Sequence, residues 1–155
     1  MTTKKTQITF IGAGNMARSL VAGLIDNDSL SVTVSDPNEA QLDIIRGRWP
    51  ACHATADNHL ALNGADVVVL AVKPQIMQLV CESLADSIQE IKPLIISIAA
   101  GVSESNLNRW LGGLLPVVRC MPNTPALVQA GMTGLYANSR VTIKMHGLWY
   151  SRFRY

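Results

Sequence analysis

No stretch of this sequence approaches the ~18 consecutive apolar residues that a membrane-spanning helix needs. The first residues, Met1 to Gln7, carry neither a long apolar segment nor a small-residue cleavage site, so a secretory signal is not expected. Cysteine is scarce. Cys52, Cys81 and Cys120 form no Cys-x-x-Cys pair, and such an odd, scattered set reads as reduced core thiols of a cytoplasmic protein. Charge of one sign is not in excess either. A formal net charge of +2 gives no electrostatic case for nucleic acid or a membrane surface as partner. Internal repeats and low-complexity linkers are missing. So are a Ser-His-Asp constellation, a paired carboxylate and a metal-ligand cluster: His53, His59 and His146 lack ligand spacing and read as surface or packing residues. No metal ligand and no catalytic residue is assigned on these grounds.

What the sequence does have is apolar residues, at 48% against 15% charged, enough to exclude disorder and to build one real core in 155 residues. Apolar strands alternate with amphipathic stretches. Ile8 to Ile11 reads as a strand and Met16 to Ile25 as a helix, with Met16, Leu20, Val21, Leu24 and Ile25 at helical spacing. Ser31 to Ser35 is a strand stopped by Asp36-Pro37, and a helix follows from about Asn38 to Arg48. A short strand is expected near Ala51 to Ala54 and a small helix near Asp57 to Leu62. Val67 to Val72 is apolar at every position, as in a strand covered on both faces. Gln75 to Leu84 reads as a helix, Leu94 to Ile98 as a strand, Ser103 to Leu111 as a helix capped by Ser103, and Val117 to Met121 as a strand. This alternation predicts an α/β fold with a doubly wound, mostly parallel sheet of the Rossmann type, in a single domain.

Gly12-Ala13-Gly14-Asn15-Met16-Ala17 fits G-x-G-x-x-G/A between a strand and a helix. Gly12 permits the tight turn, Gly14 lets a pyrophosphate approach the backbone, and Ala17 keeps the helix close to the sheet. The helix N-terminus then favours phosphate anions. A plain strand-helix turn is the alternative. Asp36, 24 residues after Gly12, stands where an acid accepts hydrogen bonds from the adenosine ribose and favours NAD. The alternative is a cap on the turn ahead of Pro37. No arginine sits immediately beside it to take a 2′-phosphate. Lys73 is pushed towards an extended backbone by Pro74, which can open the next helix. Ligands of such sheets bind at the C-terminal strand ends, so Val72 and Lys73 should lie beside a cofactor.

Ala71-Val-Lys-Pro-Gln75, Ser97-Ile-Ala-Ala-Gly-Val102, and above all Arg119-Cys-Met-Pro-Asn-Thr-Pro-Ala126 with Gly131-Met-Thr-Gly-Leu-Tyr136 resemble the motifs of the pyrroline-5-carboxylate reductase family. The resemblance runs from about Gln7 to about Thr142. It implies hydride transfer from NAD(P)H to the C5=N carbon of 1-pyrroline-5-carboxylate, giving proline. It also implies a small cyclic-imine substrate and a homo-oligomer. With the glycine turn, the expected cofactor contacts are Ile11, Gly12, Ala13, Gly14, Asn15 and Met16, then Ser35, Asp36 and Asn58, then Ala71, Val72, Lys73, Pro74 and Ala100. Asn123 and Thr124 are expected on the substrate side. The family often prefers NADPH and commonly has serine or threonine at the end of the second strand, so Asp36 is a departure and the cofactor is read as NADP or NAD.

Residues 1–142 therefore read as the dinucleotide-binding domain, and 143–155 as an atypical tail. Four of the eight aromatics fall in the last seven residues. The resemblance also implies a helical dimerisation domain that completes the substrate site, and no counterpart to it is expected within these 155 residues. Three readings of the tail stand: a frame-shifted or truncated product, a basic-aromatic segment (Lys144, Arg152, Arg154) docking on a membrane or partner, and a frayed, poorly packed end. Two other functions also stand beside the reductase: another reductase on the same nucleotide domain, acting on a hydroxyacid or a deazaflavin, and a non-catalytic nucleotide-binding module.

Overall fold

Val67, Val68, Val69 and Leu70 are all fully buried, and they form the strand about which the two halves of the sheet are arranged. The computed structural model describes residues 4–122 and 132–153. In chain order its elements are β1 (Thr6–Ile11), α1 (Asn15–Leu24), β2 (Leu30–Ser35), α2 (Glu39–Arg48), β3 (His53–Thr55), α3 (Asn58–Ala61), β4 (Val67–Leu70), α4 (Pro74–Ile91), β5 (Leu94–Ser97), α5 (Glu104–Trp110), β6 (Val117–Pro122), β7 (Met132–Ala137) and α6 (Ile143–Phe153). The strand order is β3-β2-β1-β4-β5-β6-β7, parallel except for the last pair. That is the Rossmann order with an antiparallel edge strand added, and the order reverses between β1 and β4. The α/β, mostly parallel fold expected from the alternation is the one found.

The pleat of β4 divides the core. Val67 and Val69 join Ile8, Phe10, Leu20 and Val21 on the α1 side, while Val68 and Leu70 join Met77, Cys81, Leu84 and Ile88 on the α4 side. Each fully buried leucine or isoleucine contributes about 2 kcal/mol relative to exposure. Short helices are fixed at their starts by side chains. Asn38 accepts from Ala40 N–H, Asp57 from His59 and Leu60 N–H, and the expected cap Ser103 from Asn106 N–H.

Three expectations are corrected. Helix α4 runs to Ile91 rather than Leu84, because Leu84 and Ile88 continue the buried stripe. It ends only where Lys92 turns left-handed at φ 44° ahead of Pro93. Strand β4 stops at Leu70 rather than Val72, since Ala71 crosses over Gly12 and leaves the sheet. The tail is not frayed over its described part: Val141, just ahead of α6, and Met145, Leu148 and Trp149 within it pack on the α1 cluster, with Trp149 only 5% exposed. Arg154, one of the three basic residues of the docking reading, lies outside the described residues, as do Asn123 and Thr124. Strand β7 had no counterpart among the expected elements.

Two predictions follow from this packing. Trp149→Ala should lower stability by about 3 kcal/mol, the usual cost of emptying a buried tryptophan site, whereas a frayed end would move a denaturant midpoint hardly at all. The second concerns the thiols, which are free and buried. Burial pushes Cys52, Cys81 and Cys120 up from 9.0 to about 12. Folded protein near neutral pH should therefore resist a thiol reagent that labels all three after unfolding. With folded thiols titrating above unfolded ones, their contribution to stability is complete below pH 9.0 and is lost as pH rises towards 12. Urea titrations across that range check the sign.

Candidate functional site

At the C-terminal ends of β1, β2 and β4, where the strand order reverses, a cavity of about 440 Å³ opens. Its walls are Ile11 to Gly14, Ser35 to Asn38, Gln41, Asn58, Ala71 to Lys73, Ile76 and Val80. A second recess of about 470 Å³ lies at the opposite strand ends, among Lys4, Lys5, Lys92 and Lys144. It is slightly larger, but the first holds the glycine turn and stands where open α/β sheets bind ligands.

The turn is built on a steric exclusion. Gly12 has φ +109°, and a Cβ there would lie 2.7 Å from the Ala71 carbonyl oxygen. Its N–H donates to the Ser35 carbonyl at 2.7 Å, and Ala71 N–H donates to the Ile11 carbonyl at 2.8 Å. The ends of three strands are thereby tied at one point. Gly14 differs: a Cβ there would meet nothing within 4 Å, and its backbone is extended, at φ −71°. Nothing among the described residues requires residue 14 to be glycine, whereas a group approaching the backbone from the cavity would.

Helix starts carry the electrostatics. Gly14 caps α1 with no side-chain bond and no acid follows in the first turn, and Lys73 caps α4 likewise, with Pro74 at its first turn. Lys73 is extended at φ −63°, ψ 146°, as its place before proline requires. These two helices thus leave first-turn N–H groups at the cavity without side-chain caps, a fit for an anion. A dinucleotide phosphate fits this arrangement: open space above Gly14, α1 amides beneath it, and the Lys73 ammonium at the far wall.

At the other wall, Asp36 Oδ2 accepts from Ala13 N–H at 2.9 Å and Oδ1 from Asn38 N–H at 2.8 Å. Asp36 thus caps the turn ahead of Pro37 and also holds the glycine loop. Ser35 is fully buried and its hydroxyl donates to Asn58 Oδ1.

Of the expected contacts, the cavity brings together Ile11, Gly12, Ala13, Gly14, Ser35, Asp36, Asn58, Ala71, Val72 and Lys73. It does not take in the others. Asn15 opens α1 and lines a neighbouring recess with Arg18, Met16 is half-buried in the same turn, Pro74 starts α4, and Ala100 is exposed in the turn after β5. Pro37, Asn38, Gln41, Ile76 and Val80 line the cavity without having been among the expected contacts. Ile76 and Val80 lie four apart, off the buried stripe of α4. An apolar pair in that position at a helix start was the available signal.

A family model described as NADP oxidoreductase coenzyme F420-dependent matches residues 7–101. The pyrroline-5-carboxylate reductase of Pseudomonas aeruginosa is 49% identical over 138 residues, 88% of this chain and 50% of that protein. The reductase of the same name from Vibrio alginolyticus is 44% identical over 138 residues, with the same coverage of 88% and 50%. Among solved structures, a pyrroline-5-carboxylate reductase from Coxiella burnetii superposes with a TM-score of 0.89 at 40% identity, covering 97% of this chain and 56% of that one. The chain spans about half the length of the curated relatives it matches. With the glycine turn, the strand order and these matches in agreement, the chain belongs to the NADP oxidoreductase, coenzyme F420-dependent family, and its relatives along 138 residues are pyrroline-5-carboxylate reductases.

Proposed function

We propose that this chain is the cofactor-binding part of a pyrroline-5-carboxylate reductase, a cytoplasmic enzyme that reduces a small cyclic imine to proline with NAD(P)H. One observation carries the reading: the glycine turn, with its steric exclusion at Gly12 and open space at Gly14, stands at the switch point of a chain 49% identical to such a reductase. A bound reduced nicotinamide supplies the hydride. The chain's own residues position: Gly14 and the α1 amides take the diphosphate, Asp36 and Asn58 stand at the adenosine end, and Ala71 to Pro74 support the far wall. Ala100, after β5, and Asn123 and Thr124 belong to the nicotinamide and substrate side on this reading. Domain 1–142 does this work, and the enzyme acts as a homo-oligomer.

Holding two rings in a near-attack arrangement is worth several kcal/mol of a barrier. The matched 138 residues make up 50% of the Pseudomonas aeruginosa relative, so on this reading substrate positioning is shared with residues outside the matched part. The 155-residue chain assayed alone should bind cofactor yet form proline orders of magnitude more slowly than a complete reductase. Turnover matching a complete reductase in a steady-state assay would mean that this half builds a whole site. A second reading has the family's own description behind it, a deazaflavin-linked reductase. It requires reduction with coenzyme F420 and none with pyrroline-5-carboxylate, in a gene product of the relatives' full length.

The glycines separate fold from ligand. Gly14→Val should leave the melting temperature nearly unchanged, since its side chain meets open space, but weaken NAD(P)H at least about tenfold. Gly12→Ala should destabilise the fold by about 2 kcal/mol or more, through φ +109° and the Ala71 carbonyl. Calorimetry and thermal melts on the two variants check both. Unchanged affinity in Gly14→Val would remove the turn from the site.

A further inference from the structure

Arg18 stands beside the cofactor cavity and has no part in the account above. It leaves α1 one turn after Gly14, half-buried, and its guanidinium donates to the Ala13 carbonyl at 3.0 Å, to Gln41 Oε1 and to Asn15 Oδ1. All three acceptors are neutral. The ion pairs among the described residues are those of Arg46 with Glu39 and Asp43, so the Arg18 charge is held by dipoles alone. Gln41 is itself part of the cavity wall, beside Asp36, Pro37 and Asn38. The guanidinium is thus one side chain removed from the end of the cavity that Asp36 closes.

Asp36 is already committed. Its two oxygens hold the N–H groups of Ala13 and Asn38, while Arg18 holds the carbonyl of the same Ala13. The carboxylate and the guanidinium therefore grip residue 13 from its two backbone groups, and the negative charge at the end of β2 has a positive one close by. An acid alone at this place repels a 2′-phosphate; an acid with an arginine at hand does not decide the matter. We propose that Arg18 is the specificity-determining residue of this site, reading the 2′-phosphate of NADPH with the Gln41 amide as companion donor, and that Asp36 is a positioning residue for the glycine turn. The proposal rests on the dinucleotide reading given above.

The chemistry favours this assignment. A guanidinium presents a planar fork matched to phosphate oxygens, and a hydrogen bond between two charged groups is stronger than one to a neutral amide or carbonyl. Gln41 Oε1 is used by Arg18, which leaves its amide N–H groups to donate to the same phosphate. Arginine near the end of the second strand is a known means by which such folds accommodate the extra phosphate. Here it comes from α1 instead of the loop after β2.

The test is calorimetry on the 155-residue chain with NADPH, NADH, adenosine 2′,5′-bisphosphate and 5′-AMP, for the unaltered protein, Arg18→Ala, Arg18→Lys and Asp36→Ser. Arg18→Ala should weaken NADPH and the bisphosphate about tenfold or more, the factor that ~1.4 kcal/mol represents, and NADH and 5′-AMP less than about twofold. Arg18→Lys, which keeps a cation and the helix, should recover part of the loss. Asp36→Ser should weaken all four ligands by a similar factor, leaving the ratio in place. Equal weakening of all four by Arg18→Ala would make Arg18 a support of the turn only, and no weakening would remove it from the site; either overturns the proposal. So would Asp36→Ser improving NADPH alone. Should the unaltered chain bind none of the four, the dinucleotide reading itself fails, an outcome distinct from a lost preference.

Discussion

The Ala71 carbonyl oxygen occupies the place a β-carbon on residue 12 would need, 2.7 Å away. Around that contact the ends of β1, β2 and β4 are drawn together. Ile11 and Ala71 exchange one backbone bond across it, and Gly12 reaches the Ser35 carbonyl on the other side. The cavity exists because these three ends separate immediately afterwards. The covered faces of β4 hold this geometry from below: valines meet α1 residues on one side, and Val68 and Leu70 meet the α4 stripe on the other.

Much of this was legible in the sequence because its signals are local. A run such as Val67 to Leu70 can be placed only in a strand covered on both faces, and Gly12-Ala-Gly14 between strand and helix fixes the turn. The pairing order follows from connection rules rather than from any one residue. What was illegible depends on contacts distant in sequence. The readings of Ile143 to Tyr155 leaned on its composition, although Val141, Met145, Leu148 and Trp149 carry a helical spacing; their partners lie on α1, more than a hundred residues earlier. Strand β7 contains two small residues that weaken a strand pattern, and it takes its form from the β6 edge, with a bulge between Arg119 and Cys120. Asp36 showed its turn-capping role in the sequence, but only the spatial approach of Ala13 shows that the same carboxylate also holds the glycine loop.

Arg18 shows the same limitation at the site itself. The sequence distance from Asp36 made it invisible to a search for a basic neighbour along the chain. Helical geometry supplies the neighbour instead: one turn into α1, its side chain lies over the loop it follows and reaches Gln41 on the adjoining helix. A helical side chain leans back towards the helix N-terminus, so a first-turn residue of a helix that starts at a site can lie over that site.

The bare starts of α1 and α4 have a consequence for the lifetime of the protein. Where α2, α3 and α5 close their first turns with Asn38, Asp57 and Ser103, these two leave that function to whatever anion arrives. Occupancy then becomes part of folding: a ligand at a hundred times its dissociation constant adds about 2.7 kcal/mol to the native state. On the proposed function, a cell depleted of nicotinamide nucleotide would hold a larger unfolded fraction of this chain and degrade it faster, so its abundance would follow the nucleotide pool without any change in transcription.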